Sequence, residues 1–304
     1  MTGTLAPTAW RIAVASGCEL AERPLWDTWT NTLLWVDVLA GDLHRATLAP
    51  DGTGRWSDHA ARVGETVGAA ALRHDGGTVA AVDTALVMLD SLGRPDSDPI
   101  PVDMPAGARF NDGACDPAGR FLVGSTTPAN RPGTGLLWSL GSGRRVEVAL
   151  TGITESNGLD WAPDGDLLYY IDSGEPVVRR YAYDSSSGRI GTRLTDLTVL
   201  GAGQGVPDGL VVDADGAVWV ALWQGSSLRR YAPDGELLLD LAVPVDQPTC
   251  PAFAGPDLRL LVVTTAWEGL HAEARTAQPW AGHLLVAPAP VVGRLPYRFE
   301  GTVT

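Results

Sequence analysis

A turn signal followed by a short apolar or β-branched run returns six times along this chain at nearly even spacing, and this periodicity constrains the fold more than any other feature. Asn31-Thr32 precedes LLWVDV, Asp75-Gly76-Gly77 precedes TVAAVD, and Ala118-Gly119 precedes RFLVGST. The series continues with Asp164-Gly165 before DLLYYIDS, Asp215-Gly216 before AVWVAL, and Pro256-Asp257 before LRLLVVTT. Measured from Thr32, Gly76, Gly119, Gly165, Gly216 and Asp257, the intervals are 44, 43, 46, 51 and 41 residues. Tight turns between alternating runs are hairpin signals, and hairpins recurring every roughly 40 to 50 residues, four strands to a unit, mark propeller blades. Helical spacing of apolar residues is nowhere sustained, because 36 Gly and 22 Pro interrupt it. The expected fold is all-β, a six-bladed β-propeller, in one domain spanning residues 1–304. A β-sandwich or a pair of barrels is the competing architecture; radial repetition also accounts for how so many strands avoid long exposed edges. The widest interval places an insertion near Gly188 to Gly205, read as a Gly-rich loop before Pro207.

Composition narrows the function classes. With 45% apolar and 19% charged residues the chain can bury a core. The 22 basic and 36 acidic residues give a net charge of -14, which argues against nucleic-acid binding, since phosphate contacts need clustered cations. Every basic residue is arginine. Without lysine, Schiff-base and pyridoxal-phosphate chemistry, P-loop nucleotide sites and kinases are excluded, because each uses an ammonium group. Cys18, Cys115 and Cys250 are odd in number and form no C-x-x-C pair, so buried thiols are expected rather than a disulfide framework or zinc knuckle. Residues 1–10 lack a basic-then-apolar leader, and no run approaches the roughly 18 apolar residues of a membrane span. The expectation is a soluble, cytoplasmic protein without membrane or nucleic-acid partners, a monomer or small homo-oligomer.

Polar residues line up when the blades are aligned on the turn glycine. Asn111, Asn157 and Asp208 each lie eight residues before Gly119, Gly165 and Gly216. In a propeller one phase means one height and one radius, so these side chains converge at one end of the central channel. Glu22, ten before Thr32, adds a fourth oxygen from the first blade. Asn-Gly and Asp-Gly are also ordinary turn dipeptides, but three in register outweigh that reading. Two carboxylates and two amide oxygens suit a hard cation such as Ca²⁺, Mg²⁺ or Mn²⁺ better than a soft-ligand zinc site. Two negative charges at a narrow mouth also call for a neutralising cation.

At these residues the chain resembles the SMP-30/gluconolactonase/regucalcin-like family. Arg109-Phe110-Asn111-Asp112-Gly113 continuing through Asp116-Pro117-Ala118-Gly119-Arg120 is similar to that family's R-x-N-D-G-x-x-D-P-x-G-R segment. Ser156-Asn157-Gly158-Leu159-Asp160-Trp161, Pro207-Asp208-Gly209-Leu210 and Ala21-Glu22-Arg23-Pro24-Leu25-Trp26 resemble its other signatures, and the likeness runs from about residue 16 to about residue 300. The resemblance implies a six-bladed propeller with one divalent cation, Ca²⁺, Mn²⁺, Mg²⁺ or Zn²⁺, ligated by Glu22, Asn157 and Asp208. It implies that Asn111 faces cation and substrate, that Arg109 reaches substrate oxygens, and that Asp208 is the base or water-orienting carboxylate. Two departures stand out. Arg23 occupies a position usually small or neutral, so it either points outward or reshapes the pocket. The segment Thr126 to Gly133 lacks the acidic or tyrosine residues that many sugar-lactone members carry in their lid.

The implied activity is metal-dependent hydrolysis of a small-molecule lactone by an activated water, with Asp208 taking the proton and Arg109 and Asn111 orienting the substrate. Organophosphate or aryl-ester hydrolysis is the rival chemistry, and a non-catalytic metal-binding module the rival class. No G-x-S-x-G elbow or H-E-x-x-H pair occurs. His44, His59, His74, His271 and His283 read as surface or loop residues, and residues 201–205 as a flexible connection rather than a dinucleotide loop. Trp35, Trp161 and Trp219 read as blade-packing aromatics, while Trp223 and Trp267 are candidates to flank the pocket.

Overall fold

A computed structural model describes residues 10–48 and 56–301. Residues 1–9, 49–55 and 302–304 of the expected domain lie outside the described residues.

Six antiparallel sheets follow one another along the chain, one per sequence repeat. The innermost strands are Ala21–Asp27, Val67–Leu72, Arg109–Cys115, Ser156–Trp161, Val206–Val212 and Pro248–Ala254, here taken to open blades 1 to 6. Each later strand pairs outward from its predecessor. Blade 6 is completed by Arg11–Val14, which pairs with Leu284–Pro288 and so ties the start of the chain to its end. The fold is the six-bladed β-propeller that the repeat predicts.

Why these runs form blades is visible in their two faces. In the blade 5 strand Val218–Trp223, Val218, Val220 and Leu222 pack against blade 4, whereas Trp219 and Ala221 pack against blade 6. Successive side chains point to opposite faces of a strand, so a continuous apolar run is what a strand sandwiched between two blades needs. The described residues contain six apolar clusters, each shared chiefly by two adjacent blades. Trp35, Trp161 and Trp219 are buried in them, as expected from the sequence. The outermost strand Leu237–Ala242 alternates toward solvent instead. The turn glycines have a local reason: Gly119, Gly165 and Gly216 sit at φ of +76°, +76° and +82°, which a side chain rarely tolerates. In blade 3 the turn is also locked by Asp116, whose carboxylate accepts the backbone N–H groups of Ala118 and Arg120.

Two further features position the site. Every innermost strand slips register by one residue, at Glu22/Leu25, Val67/Ala70, Phe110/Gly113, Ser156/Leu159, Pro207/Leu210 and Pro248/Pro251. A bulge of this kind bends the strand and re-aims the side chains within it. Asn111, Asn157 and Asp208 are each the first bulged residue of their strand, which is the physical content of their common phase. In blade 1 that position is Arg23, and Glu22 precedes it. The second feature is the segment 292–300, which contacts all six blades. Its anchors include Ala214, Leu258, Asp160, Asp27, Leu72 and Gly119.

Some expectations need correction. The insertion after Gly188 is not a plain loop: Arg189–Arg193 and Thr198–Val199 both pair with Val177–Asp184, making blade 4 five-stranded. His44 is no surface residue. It is buried, stacks on Trp35 with ring centroids 4.9 Å apart, and lies between Cys18 Sγ at 3.7 Å and Asp58 Oδ1 at 3.4 Å. The alternation in Asp42–Leu48 turns it toward the core. His59, His74 and His271 are exposed as expected.

Candidate functional site

The bulges deliver Glu22, Asn111, Asn157 and Asp208 to one cavity of about 420 Å³ at the end of the channel away from the 292–300 segment. All four are buried as residues yet line the cavity with Arg109. The structure therefore brings together Glu22, Arg109, Asn111, Asn157 and Asp208.

A hydrogen-bond chain fixes the amides. Arg109 Nη1 donates to Asn111 Oδ1 at 2.5 Å and to the Phe110 carbonyl at 3.0 Å. Asn111 Nδ2 donates to Asn157 Oδ1 at 3.1 Å and to the Ser156 carbonyl at 2.8 Å. Asn157 Nδ2 donates to Ser173 Oγ at 2.9 Å, and that hydroxyl donates to the Pro207 carbonyl at 2.7 Å. Both amide orientations are thus set, leaving the Asn157 oxygen a further lone pair. Three blades are linked by this chain, so the spacing of Arg109, Asn157 and the strand carrying Asp208 is pinned.

The carboxylates experience the opposite of a neutral environment. Burial, then the charge of Asp112, pushes Glu22 well above the usual carboxylate range; the Arg23 N–H donated to Oε2 at 3.0 Å only partly offsets this. Burial, then the charges of Glu22 and Glu155, pushes Asp208 up likewise. Two buried carboxylates that repel one another beside an amide oxygen form a hard-donor set whose charge is relieved by a divalent cation. The residues present fit such an ion. Among the described residues no three His, Cys, Asp or Glu side chains gather for a metal, so a cation here would need an amide oxygen such as Asn157 Oδ1 beside the two carboxylates.

Of the two expectations for Arg23, the structure excludes the outward one. Arg23 points neither outward nor into the mouth. Its backbone is left-handed at φ +48°, and its side chain lies deeper in the channel beside a small inner cavity of about 40 Å³, 3.6 Å from Asp112 Oδ2. The 292–300 segment closes the far side of that inner cavity through Arg294, whose Nη2 bonds Asp160 Oδ1 at 2.6 Å.

Sequence reasoning missed several lining residues: Glu155, Glu268, Asn130, Ser173 and Gln247. Glu155 stands immediately before the Ser156-Asn157-Gly158 motif, a position that could have flagged it. Glu268 and Gln247 flank blade 6 strands, where no polar motif marks the phase. Burial raises both Glu155 and Glu268, each against the opposing pull of Arg109. Trp223 does flank the cavity, but Trp267 does not. It lines a separate surface cleft, with the Arg275 guanidinium 3.7 Å above its ring.

Fold and site together define a class: a six-bladed propeller whose channel presents carboxylate and amide oxygens at one mouth and is strapped at the other end. Residues 20–267 match the model of the SMP-30/gluconolactonase/LRE-like region, and the chain belongs to that family. It is 33% identical over 292 residues to regucalcin from Bos taurus, covering 93% of this chain and 96% of that one. It is 34% identical over 287 residues to a 6-deoxy-6-sulfogluconolactonase from Pseudomonas putida, covering 93% and 95%. Among solved structures, a calcium-binding protein, regucalcin from Agrobacterium tumefaciens, superposes with a TM-score of 0.85 at 28% identity, covering 97% of this chain and 100% of that one.

Proposed function

We propose that this chain is a divalent-metal-dependent hydrolase that opens a lactone, a sugar-acid lactone or related cyclic ester, by attack of water. The observation that carries this reading is the convergence of Glu22, Asn157 and Asp208 beside the Arg109–Asn111 pair in one cavity. Kinship with a protein named 6-deoxy-6-sulfogluconolactonase supports the reaction, and likeness to a regucalcin described as calcium-binding supports the cation.

Glu22, Asn157 and Asp208 would hold the ion. When bound, it supplies Lewis-acid polarisation of the ester carbonyl and a more acidic water. Asp208, lining the cavity beside Glu22 and Asn157, then accepts the proton of the attacking water. The Arg109 guanidinium, held in place by Asn111, orients the substrate and donates to the oxygen that gains negative charge. The C–O bond of the ring breaks, its oxygen takes a proton, and the hydroxy acid leaves as a carboxylate. The three buried free thiols support placement in a reducing compartment.

The test is proton release in a pH-stat with sugar lactones, aryl esters and organophosphates, before and after chelation and with each candidate ion restored. Lactone turnover that chelation abolishes and Ca²⁺, Mn²⁺, Mg²⁺ or Zn²⁺ restores is the expected result. Release only from aryl or phosphate esters would transfer the site to that chemistry, and none at all would indicate a binding module.

A further inference from the structure

The outer half of the mouth cavity carries charge that neither the cation set nor the Arg109–Asn111 pair uses. Glu155 enters it from the start of blade 4 and Glu268 from the segment after Leu260–Thr265. Glu155 is held in place: Asn130 Nδ2 donates to its Oε2 at 2.9 Å, and Thr126 Oγ1 donates to Asn130 Oδ1 at 3.0 Å. Two consecutive left-handed residues, Ala129 at φ +61° and Asn130 at +45°, shape the loop that brings Asn130 to the cavity. Both carboxylates act electrostatically on Arg109, and Glu268 acts on Glu155.

Among the described residues, the charged side chains lining the cavity are Glu22, Glu155, Asp208 and Glu268 against Arg109 alone. A divalent cation on Glu22, Asn157 and Asp208 balances the inner two carboxylates. The outer wall is then two carboxylates facing one guanidinium, so Arg109 offers an incoming anion no net attraction there. An anionic ring substituent would be stripped of water and set against like charge. Hydroxyl groups, by contrast, find carboxylate acceptors, that of Glu155 oriented by Asn130.

We propose that Glu155, positioned by Asn130, and Glu268 determine substrate specificity, accepting hydrogen bonds from the hydroxyls of a neutral polyol lactone and rejecting lactones that carry a carboxylate, sulfonate or phosphate. The inference rests on the lactonase reading above and adds the substrate class.

Glucono-1,4-lactone and glucaro-1,4-lactone test it, since they differ only in a terminal CH₂OH against a carboxylate. Wild-type kcat/KM should favour the neutral member by about tenfold or more, and the double variant Glu155→Gln/Glu268→Gln should bring the ratio to within about threefold of unity, mainly through KM for the anion. Asn130→Ala should shift the ratio in the same direction by disordering Glu155. If a variant loses turnover, quenching of tryptophan fluorescence by the two lactones themselves gives the same comparison as binding. Equal kcat/KM in the wild type, or a preference that the double variant leaves untouched, overturns this inference while the lactonase reading stands. Absence of turnover on every lactone overturns both.

Discussion

The segment 292–300 should be a principal clasp of the ring, and Phe299→Ala measures how much it contributes. The Phe299 ring is 2% exposed and lies in the cluster shared by blades 2 and 3, with Val102, Phe110 and Trp138 among its members. Its backbone N–H bonds the Leu72 carbonyl at 2.8 Å and its own carbonyl accepts the His74 N–H at 3.0 Å, so the strap cannot easily follow a shrunken side chain inward. Truncating such a ring costs about 3–5 kcal/mol, the transfer term plus the cavity left behind. An unfolding entropy of about 2.1 cal/mol/K per residue, applied to 304 residues, gives about 0.64 kcal/mol/K. The midpoint should therefore fall by about 5–8 °C. Calorimetry on both proteins at one pH reads this directly, and kcat/KM at 25 °C should be preserved because the strap lies at the opposite end from the mouth. A loss below about 1 kcal/mol would refute the reasoning, showing that the site collapses without a void.

Four further outcomes follow from named contacts. Asp208→Asn keeps the volume but removes a charge and the proton acceptor, so kcat should fall by at least about 10²-fold, and isothermal titration should show weakened divalent-ion binding. Arg23→Met leaves Asp112 buried without its cation, a loss of about 3–5 kcal/mol in urea unfolding; adding Asp112→Asn should recover part of it. Burial opposes a charge on His44, but its hydrogen bonds to Asp58 and Cys18 outweigh it and hold its pKa up to about 10. A raised folded-state value means the stabilisation is complete below about pH 6.5 and is lost as pH rises toward 10; the urea midpoint difference between wild type and His44→Gln should shrink accordingly. Finally, Cys18, Cys115 and Cys250 are all buried and free, so Ellman's reagent should detect no thiol in the native protein and three in denaturant.

Much of this protein was legible before its coordinates. Turn dipeptides and alternating apolar runs act through local backbone preferences and period-two burial, so the blade count and the strand order within blades follow from the chain itself. The shared phase of Asn111, Asn157 and Asp208 was legible for the same reason: a repeated bulge puts repeated residues in one place. Glu22 sits one position before that bulge in blade 1, which accounts for one of the two residues by which its offset departs from the others.

What the tertiary structure alone decided is where each remaining polar side chain goes. Arg23 turns down the channel because Asp112, from another blade, offers a buried charge there, and sequence spacing says nothing about that cavity. Glu155 faces the mouth because Asn130 on the neighbouring blade 3 holds it, and His44 is drawn inward by Cys18, Trp35 and Asp58. Such choices depend on the space and charge left after six blades pack together. Those are properties of residues far apart in the chain, whereas the blades themselves are set by neighbours a few positions away.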